Sequence, residues 1–430
     1  MIQIGLVSLG CAKNLVDSEN ILAMFPKEAF SITSDPKKAD LIIVNTCGFI
    51  ASAKKESIDT ILEMASYGKK LAVVGCLAQR YLEELRKEIP EADLILPISS
   101  YPELHKYLTS LLGEEVNPFS PLKRVLSTGD YSAYLKISEG CDNFCAFCAI
   151  PFIRGRFVSR PFEEIIEEAK TLKEKGIKEI SLVSQDTTVY GKDFPDKKPN
   201  IVDLLNALED IGFYSIRLLY LYPSEISDEL IDKIASSKQI AHYFDIPVQS
   251  GSDHVLTLMR RHDRMKDTVN LFAKIRKKCP DAILRTTLIA GFAGEREDDH
   301  QETLSFIENV QFDKMGCFTY SPEEGTFGYT YKEQVDEKTK KRRKKELMLA
   351  QRRISLRANK KHIGETMEGL VVGYDPQNER YALRSYWAAP DEIDGAIWFT
   401  SPKPLKEGEI VKVRITDALI YDLLGELAEE

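Results

Sequence analysis

The stretch GCDNFCAFCAIPFIRG, residues 140–155, sets Cys141, Cys145 and Cys148 at the spacing C-x3-C-x2-C. Thiolates held this close share one metal centre. Closed zinc sites and ordinary iron–sulfur clusters take four protein ligands, and no fourth cysteine follows the motif. Cys279 precedes a predicted strand and Cys317 lies within one, so both read as buried structural residues. A zinc site completed by a remote ligand stays open on spacing alone, although it leaves the flanking pattern unexplained. A [4Fe–4S] cluster on three thiolates, with one iron free for a substrate or cofactor, accounts for the missing ligand.

The flanking pattern is α/β. The runs AYLKISEG, EISLVSQD, SIRLLYLYP, HYFDIPVQSG, AILRTTLIAG and DKMGCFTYSP read as strands, with amphipathic helices such as FEEIIEEAKTLKEKG between them. Six such repeats over 131–335 predict a partial, open (β/α)6 relative of the eight-stranded barrel. Barrels of this kind carry chemistry on the loops after their strands, and the three-cysteine motif follows the first strand.

Upstream, residues 1–120 predict a separate open parallel α/β sheet, with strands in IQIGLVSLG, DLIIVNTCG, LAVVGCLAQ and ADLILPI. Cys11, Cys47 and Cys76 each fall at or just past the carboxyl end of a strand, the edge where such sheets bind ligands. Residues 113–130 read as a linker. Downstream, 336–363 is a basic connecting helix; its segment 338–361 has twelve Lys or Arg against one acid, Glu346, and an apolar stripe of Leu347, Ala350, Ile354 and Ala358. It reads as a solvated helix docked by one face, or as a surface turned to RNA. Residues 364–430 alternate apolar and polar positions between turns and predict a small five-stranded OB-like barrel.

At 430 residues the chain is long enough for several domains. Its composition, 43% hydrophobic and 29% charged, is globular, and the net charge of −9 argues against a surface built throughout for nucleic acid. No run of eighteen apolar residues predicts a membrane span. The N-terminus MIQIGLVSLGCAKN reads as a strand rather than a signal peptide, so the expected location is cytoplasmic, where clustered thiols point to metal or catalysis.

The C-x3-C-x2-C loop on such a barrel resembles the radical S-adenosylmethionine (SAM) enzymes. That resemblance implies that Cys141, Cys145 and Cys148 hold a [4Fe–4S] cluster whose free iron is chelated by SAM, and that Phe147 lies by the adenine. TTLIAGFAGE (286–295) is similar to the strand-end motif GxIxGxxxE bordering adenine; Gly291 and Glu295 match, and Thr287 stands in place of the first glycine. Gln185 or Asp186, after the second strand, is expected at the methionine amino group, and Gln249 and Ser250 at the ribose.

With SLGCAKN, NTCGFI, VGCLAQR, PVQSGSD and YSPEEGT added, the whole chain resembles the methylthiotransferases. The resemblance implies a second three-cysteine [4Fe–4S] cluster on Cys11, Cys47 and Cys76, a C-terminal TRAM substrate-binding module, and replacement of an unactivated C–H by C–SCH3. One SAM serves as radical source and another as methyl donor, and an external electron donor is needed. The family acts on tRNA adenosine or on an aspartate of the twelfth small-subunit ribosomal protein. Residues 365–430 carry fourteen acids against six bases, which suits a basic protein partner better than a phosphate backbone. RSYWAAPDEIDGAIWF (384–399) is similar to the signature of the ribosomal-protein branch. Asp391, Glu392 and Asp394 are therefore expected to be exposed substrate-binding acids, with tRNA as the alternative substrate.

Overall fold

The computed structural model describes residues 1–390 and 394–428. The N-terminal domain is a parallel five-stranded sheet in the order β2-β1-β3-β4-β5: β1 (Ile2–Ser8), β2 (Phe30–Ile32), β3 (Leu41–Thr46), β4 (Lys70–Gly75) and β5 (Leu94–Ile95). β3 is buried along its whole length, as an apolar strand covered on both faces must be. Helices cover both sides, with Ile4, Ile43 and Val74 facing one core and Val44, Val73 and Ile61 the other. The edge strand β2 was not legible, because three residues carry no period. The first helix, Ala12–Leu22, begins directly after Cys11.

Residues 113–130 contain no helix or strand, yet they are pinned. Asn20 donates to the carbonyls of Ser120 and Lys123. The guanidinium of Arg124, buried, bridges Glu19 of the N-terminal domain and Glu168 of the first barrel helix, 2.8 Å away.

The central domain is the expected partial barrel. β6 (Ser132–Lys136) leads to a short hairpin, β7 (Ser138–Glu139) with β8 (Val158–Ser159), that brackets the cysteine loop. β9 (Glu179–Val183) and β10 (Ser215–Leu218) complete one parallel sheet with β6; β11 (Tyr243–Asp245), β12 (Ile283–Ala290) and β13 (Lys314–Thr319) form the other. A parallel bridge between Ile216 and Ile240 joins the two. The strands are shorter than the apolar runs that announce them. After Leu218, for instance, the chain leaves the sheet through Tyr220, whose φ is +61°.

The helix Glu337–Lys360 docks as its stripe predicts, with Leu347, Ala350, Ile354 and Ala358 all buried. Beyond it, β14 (Thr366–Asp375), β15 (Arg380–Arg384), β16 (Ile397–Thr400), β17 (Ile410–Ala418) and β18 (Leu423–Leu427) close into a barrel in the order β14-β15-β16-β18-β17. The α/β architecture, the barrel and the small terminal barrel thus agree with the sequence.

One expectation is corrected here. Asp394 does not face solvent; together with residues 385–390 it plugs the amino-terminal end of the central barrel. Buried Arg217 of β10 donates to the carbonyls of Ser385 and Tyr386 at 2.8 and 3.1 Å. The Lys314 ammonium lies 3.2 Å from the centre of the Trp387 ring. Asp394 is 6% exposed; its carboxylate accepts from Tyr243 Oη, from Arg285 Nε at 3.1 Å and from the Ala389 amide at 3.0 Å, and its carbonyl accepts from Lys314 at 2.6 Å. An Asp that satisfies four donors inside an interface has nothing to offer a partner. Asp391 and Glu392, expected beside it, lie outside the described residues.

Candidate active site

The opposite end of the barrel gathers the cysteines. Cys141, Cys145 and Cys148 lie on the loop after β7, where Cys148 N–H donates to the Cys145 carbonyl at 3.0 Å. Burial pushes all three thiols up, Cys141 to about 11, and neighbouring thiols add to the rise at Cys141 and Cys148. Three converging, desolvated thiols suit a metal cluster that compensates their charge, and one C-x3-C-x2-C loop supplies three such ligands and no fourth. Behind them stands Arg261, buried, paired with Asp263 at 2.6 Å and stacked 4.3 Å from the Tyr222 ring. Its charge draws the Cys145 thiol back down against burial.

Cys11, Cys47 and Cys76 converge as well. Gly10, φ +90°, packs so closely that a Cβ there would stand 2.9 Å from Cys47 Sγ. A Cβ on Gly48 would come within 3.0 Å of the Cys76 carbonyl carbon. Burial raises the Cys76 thiol to about 11, with Arg154 opposing and Cys11 and Cys47 adding to the rise.

The two triads are adjacent. Cys76 is buried against Ala149 and Ile153, on the loop and helix that follow Cys148. At the end of that helix, Ile150–Arg154, the Arg154 guanidinium reaches Cys76 Sγ at 3.3 Å, Asp17 at 2.7 Å, Glu139 at 3.0 Å and Asn14 at 3.0 Å. Lys136 contacts the same two acids, at 2.5 and 3.1 Å. Two cations and two carboxylates therefore knit the N-terminal domain to the cysteine loop. Burial would raise the Glu139 carboxyl, but Lys136 and Arg154 hold it down at about 2. A second tie is the YSPEEGT segment: buried Glu323 receives Lys54 at 2.8 Å, Arg80 at 3.1 Å and the Ala51 amide at 2.7 Å, all from the N-terminal domain.

The residues expected at SAM divide. Gln185, at the carboxyl end of β9, donates to Glu139 at 2.7 Å and leaves its own buried oxygen without a donor. Asp186 is already held by Asn143 at 2.9 Å and by Thr188. Phe147 packs partly against Met259, Phe292 and Tyr320, beside the LIAGFAGE turn. Gln249, φ +71°, pairs with β12 through Thr287 and Ile289. Ser250 is corrected: its buried hydroxyl accepts from the Ser252 amide at 3.2 Å and faces Thr303, so it is engaged within its own turn. Glu295 also faces inward, taking the Gly291 amide at 3.0 Å and Arg343 of the basic helix at 2.9 Å, and so braces the turn. The sequence reading missed Arg154, Arg261 and Lys13. Arg154 had a signal: it is the only charge in CAIPFIRG.

A cysteine loop at the mouth of a partial barrel, joined to a second triad, defines a radical-SAM enzyme with an added cysteine-bearing domain. Residues 135–307 match the Radical SAM superfamily, 3–97 the Uncharacterized protein family UPF0004, and 363–428 the TRAM domain. The chain is 48% identical over 98% of its length to the ribosomal protein uS12 methylthiotransferase RimO of Aquifex aeolicus, covering 96% of that protein. It is 45% identical over its whole length to the protein of that name from Acetivibrio thermocellus, covering 99% of it. The chain belongs to this methylthiotransferase family, and it is a radical-SAM methylthiotransferase that works with SAM and a [4Fe–4S] cluster. Among solved structures, the radical SAM methyltransferase TsrM of Kitasatospora setae with cobalamin and a [4Fe–4S] cluster shares the fold at TM-score 0.55 and 12% identity, over 76% of each chain. The cobalamin-dependent enzyme OxsB with aqua-cobalamin does so at 0.52 and 13%, over 90% of this chain and 64% of that one.

Proposed function

We propose that this enzyme converts a C–H on the β carbon of an aspartate in ribosomal protein uS12 into C–SCH3, using two [4Fe–4S] clusters. Cys141, Cys145 and Cys148 hold one cluster and Cys11, Cys47 and Cys76 the other. When bound, the clusters and SAM supply the radical that removes hydrogen, the sulfur and the methyl group. An acid–base route would fail on a C–H this weakly acidic near neutral pH. The chain's own part is placement. Gln185 accepts from the SAM amino group, Phe147, Gln249 and the Gly291 turn line the nucleoside, and Arg154 holds the two triads in register. Holding reactants at a fixed separation is itself worth many orders of magnitude in rate.

The observation that carries this reading is the adjacency of the triads, with Cys76 buried against the helix that follows Cys148. Support for a basic protein substrate comes from the composition of the terminal barrel, fourteen acids against six bases over 365–430. The reading places the enzyme in the cytoplasm beside the small ribosomal subunit, with an external electron donor. Among the described residues no helix is long and apolar enough to cross a membrane. Mass spectrometry of uS12 and of tRNA from cells lacking the gene tests the substrate. Loss of the modification from uS12 with tRNA unchanged is the expected result; loss from tRNA adenosine alone replaces this substrate with the alternative.

A further inference from the structure

Lys13 stands between the two triads with no carboxylate partner among the described residues. It lies in the first turn of the helix that begins after Cys11 and is only 7% exposed. Its ammonium donates to the carbonyl of Ser184 at 3.1 Å and lies 3.9 Å from the centre of the Tyr220 ring. Ser184 follows β9 and Tyr220 follows the strand beside it, so a lysine of the N-terminal domain reaches into the mouth of the barrel. It is near enough to Cys148 for its charge to act on that thiol.

The other buried cations of this mouth are matched by carboxylates. Arg154 and Lys136 face Asp17 and Glu139, and Arg261 faces Asp263. Asp186 is held by Asn143 and Thr188. Among the described residues no carboxylate pairs with Lys13. An ammonium has three protons to donate, and burying it without a counter-charge is costly. A carboxylate entering the mouth would relieve both.

We propose that Lys13 binds the carboxylate of the acceptor aspartate and so holds the β carbon between the triads, an assignment that rests on the substrate reading above. It makes Lys13 a specificity determinant, since an adenine acceptor brings no anion to this point. The carboxylate of SAM is the other anion that enters the same mouth, and the test separates the two.

uS12, and uS12 with its acceptor aspartate replaced by asparagine, are titrated onto the reconstituted full-length enzyme as wild type, Lys13→Met and Lys13→Arg. SAM affinity is measured on each. Wild type prefers the aspartate form by about ten- to a hundredfold, the scale of a buried charge-assisted hydrogen bond. Lys13→Met binds both forms as wild type binds the asparagine form, at unchanged SAM affinity, and Lys13→Arg keeps part of the preference. The assignment is overturned if Lys13→Met weakens both forms equally, which makes the lysine a brace. It is overturned too if SAM affinity falls while the preference survives, which gives Lys13 to SAM. Should Lys13→Met not fold, wild type alone decides, because equal binding of the two forms refutes the assignment. A wild type that binds neither form removes the substrate reading itself and this assignment with it.

Discussion

Replacing Asp394 with alanine removes the acceptor for Tyr243 Oη, Arg285 Nε and the Ala389 amide in one step. Arg285 keeps Asp245 at 2.7 Å, so its charge is not stranded. Tyr243 and the Ala389 amide lose this buried acceptor, and Lys314 loses a nearby negative charge. Removing one partner from a buried charged network costs about 3–5 kcal/mol. The same acid on an exposed rim would be worth only about 0–1 kcal/mol. The assay is built in, because both tryptophans, Trp387 and Trp398, lie in the terminal barrel, and Trp387 is buried under Lys314 at the interface. Tryptophan fluorescence against urea therefore follows this domain and its docking. At an m of about 2 kcal/mol/M, the expected loss moves the midpoint down by roughly 1.5–2.5 M. A shift below about 0.5 M, with unchanged emission, would return Asp394 to the surface and refute the plug.

Burial lowers Lys314 from its ordinary 10.5 to about 8 despite Asp394 nearby; the unfolded chain binds more protons between those values, so docking strengthens as pH rises from about 8 to 10.5, and Lys314→Met flattens that slope in the same fluorescence assay. Gly291 has φ +74°, and a Cβ there would stand 2.3 Å from Lys340 Cγ on the docked helix; Gly291→Ala is expected to weaken SAM binding at least tenfold, about 1.4 kcal/mol, by equilibrium dialysis, and wild-type affinity contradicts the placement. Arg154→Met leaves Asp17 and Glu139 with Lys136 alone and takes the guanidinium from Cys76; iron in the reconstituted protein is expected to fall from about eight toward about four per chain, and full iron would show that Arg154 does not support the second triad.

The architecture was legible where physics leaves a local trace. Continuous Val, Ile and Leu runs announced β3 and β4, and the stripe Leu347–Ala358 announced the docked helix. The cysteine loop was legible because a metal needs its ligands close together, and the second triad because strand ends share an edge. What remained hidden was set by partners remote in sequence. Asp394 reads as one acid among many until Arg285 and Tyr243, more than a hundred residues upstream, close on it. Arg154 and Lys13 each act across a domain boundary, and no period or spacing encodes such a contact. Ser250 looked like a ribose ligand in PVQSGSD because a turn serine can face either way, and its neighbour Thr303 lies on a distant helix.

The central claim is that two triads act together on uS12. Its most direct test incubates purified uS12 and tRNA with SAM, reductant and the reconstituted enzyme, either wild type or with Cys11, Cys47 and Cys76 all replaced by alanine, followed by mass spectrometry and assay of 5′-deoxyadenosine. Wild type is expected to place the methylthio group on the uS12 aspartate and leave tRNA untouched. The triple variant is expected to cleave SAM and yield no methylthiolated product. A triple variant that still methylthiolates uS12, or a wild type that modifies only tRNA, contradicts the account.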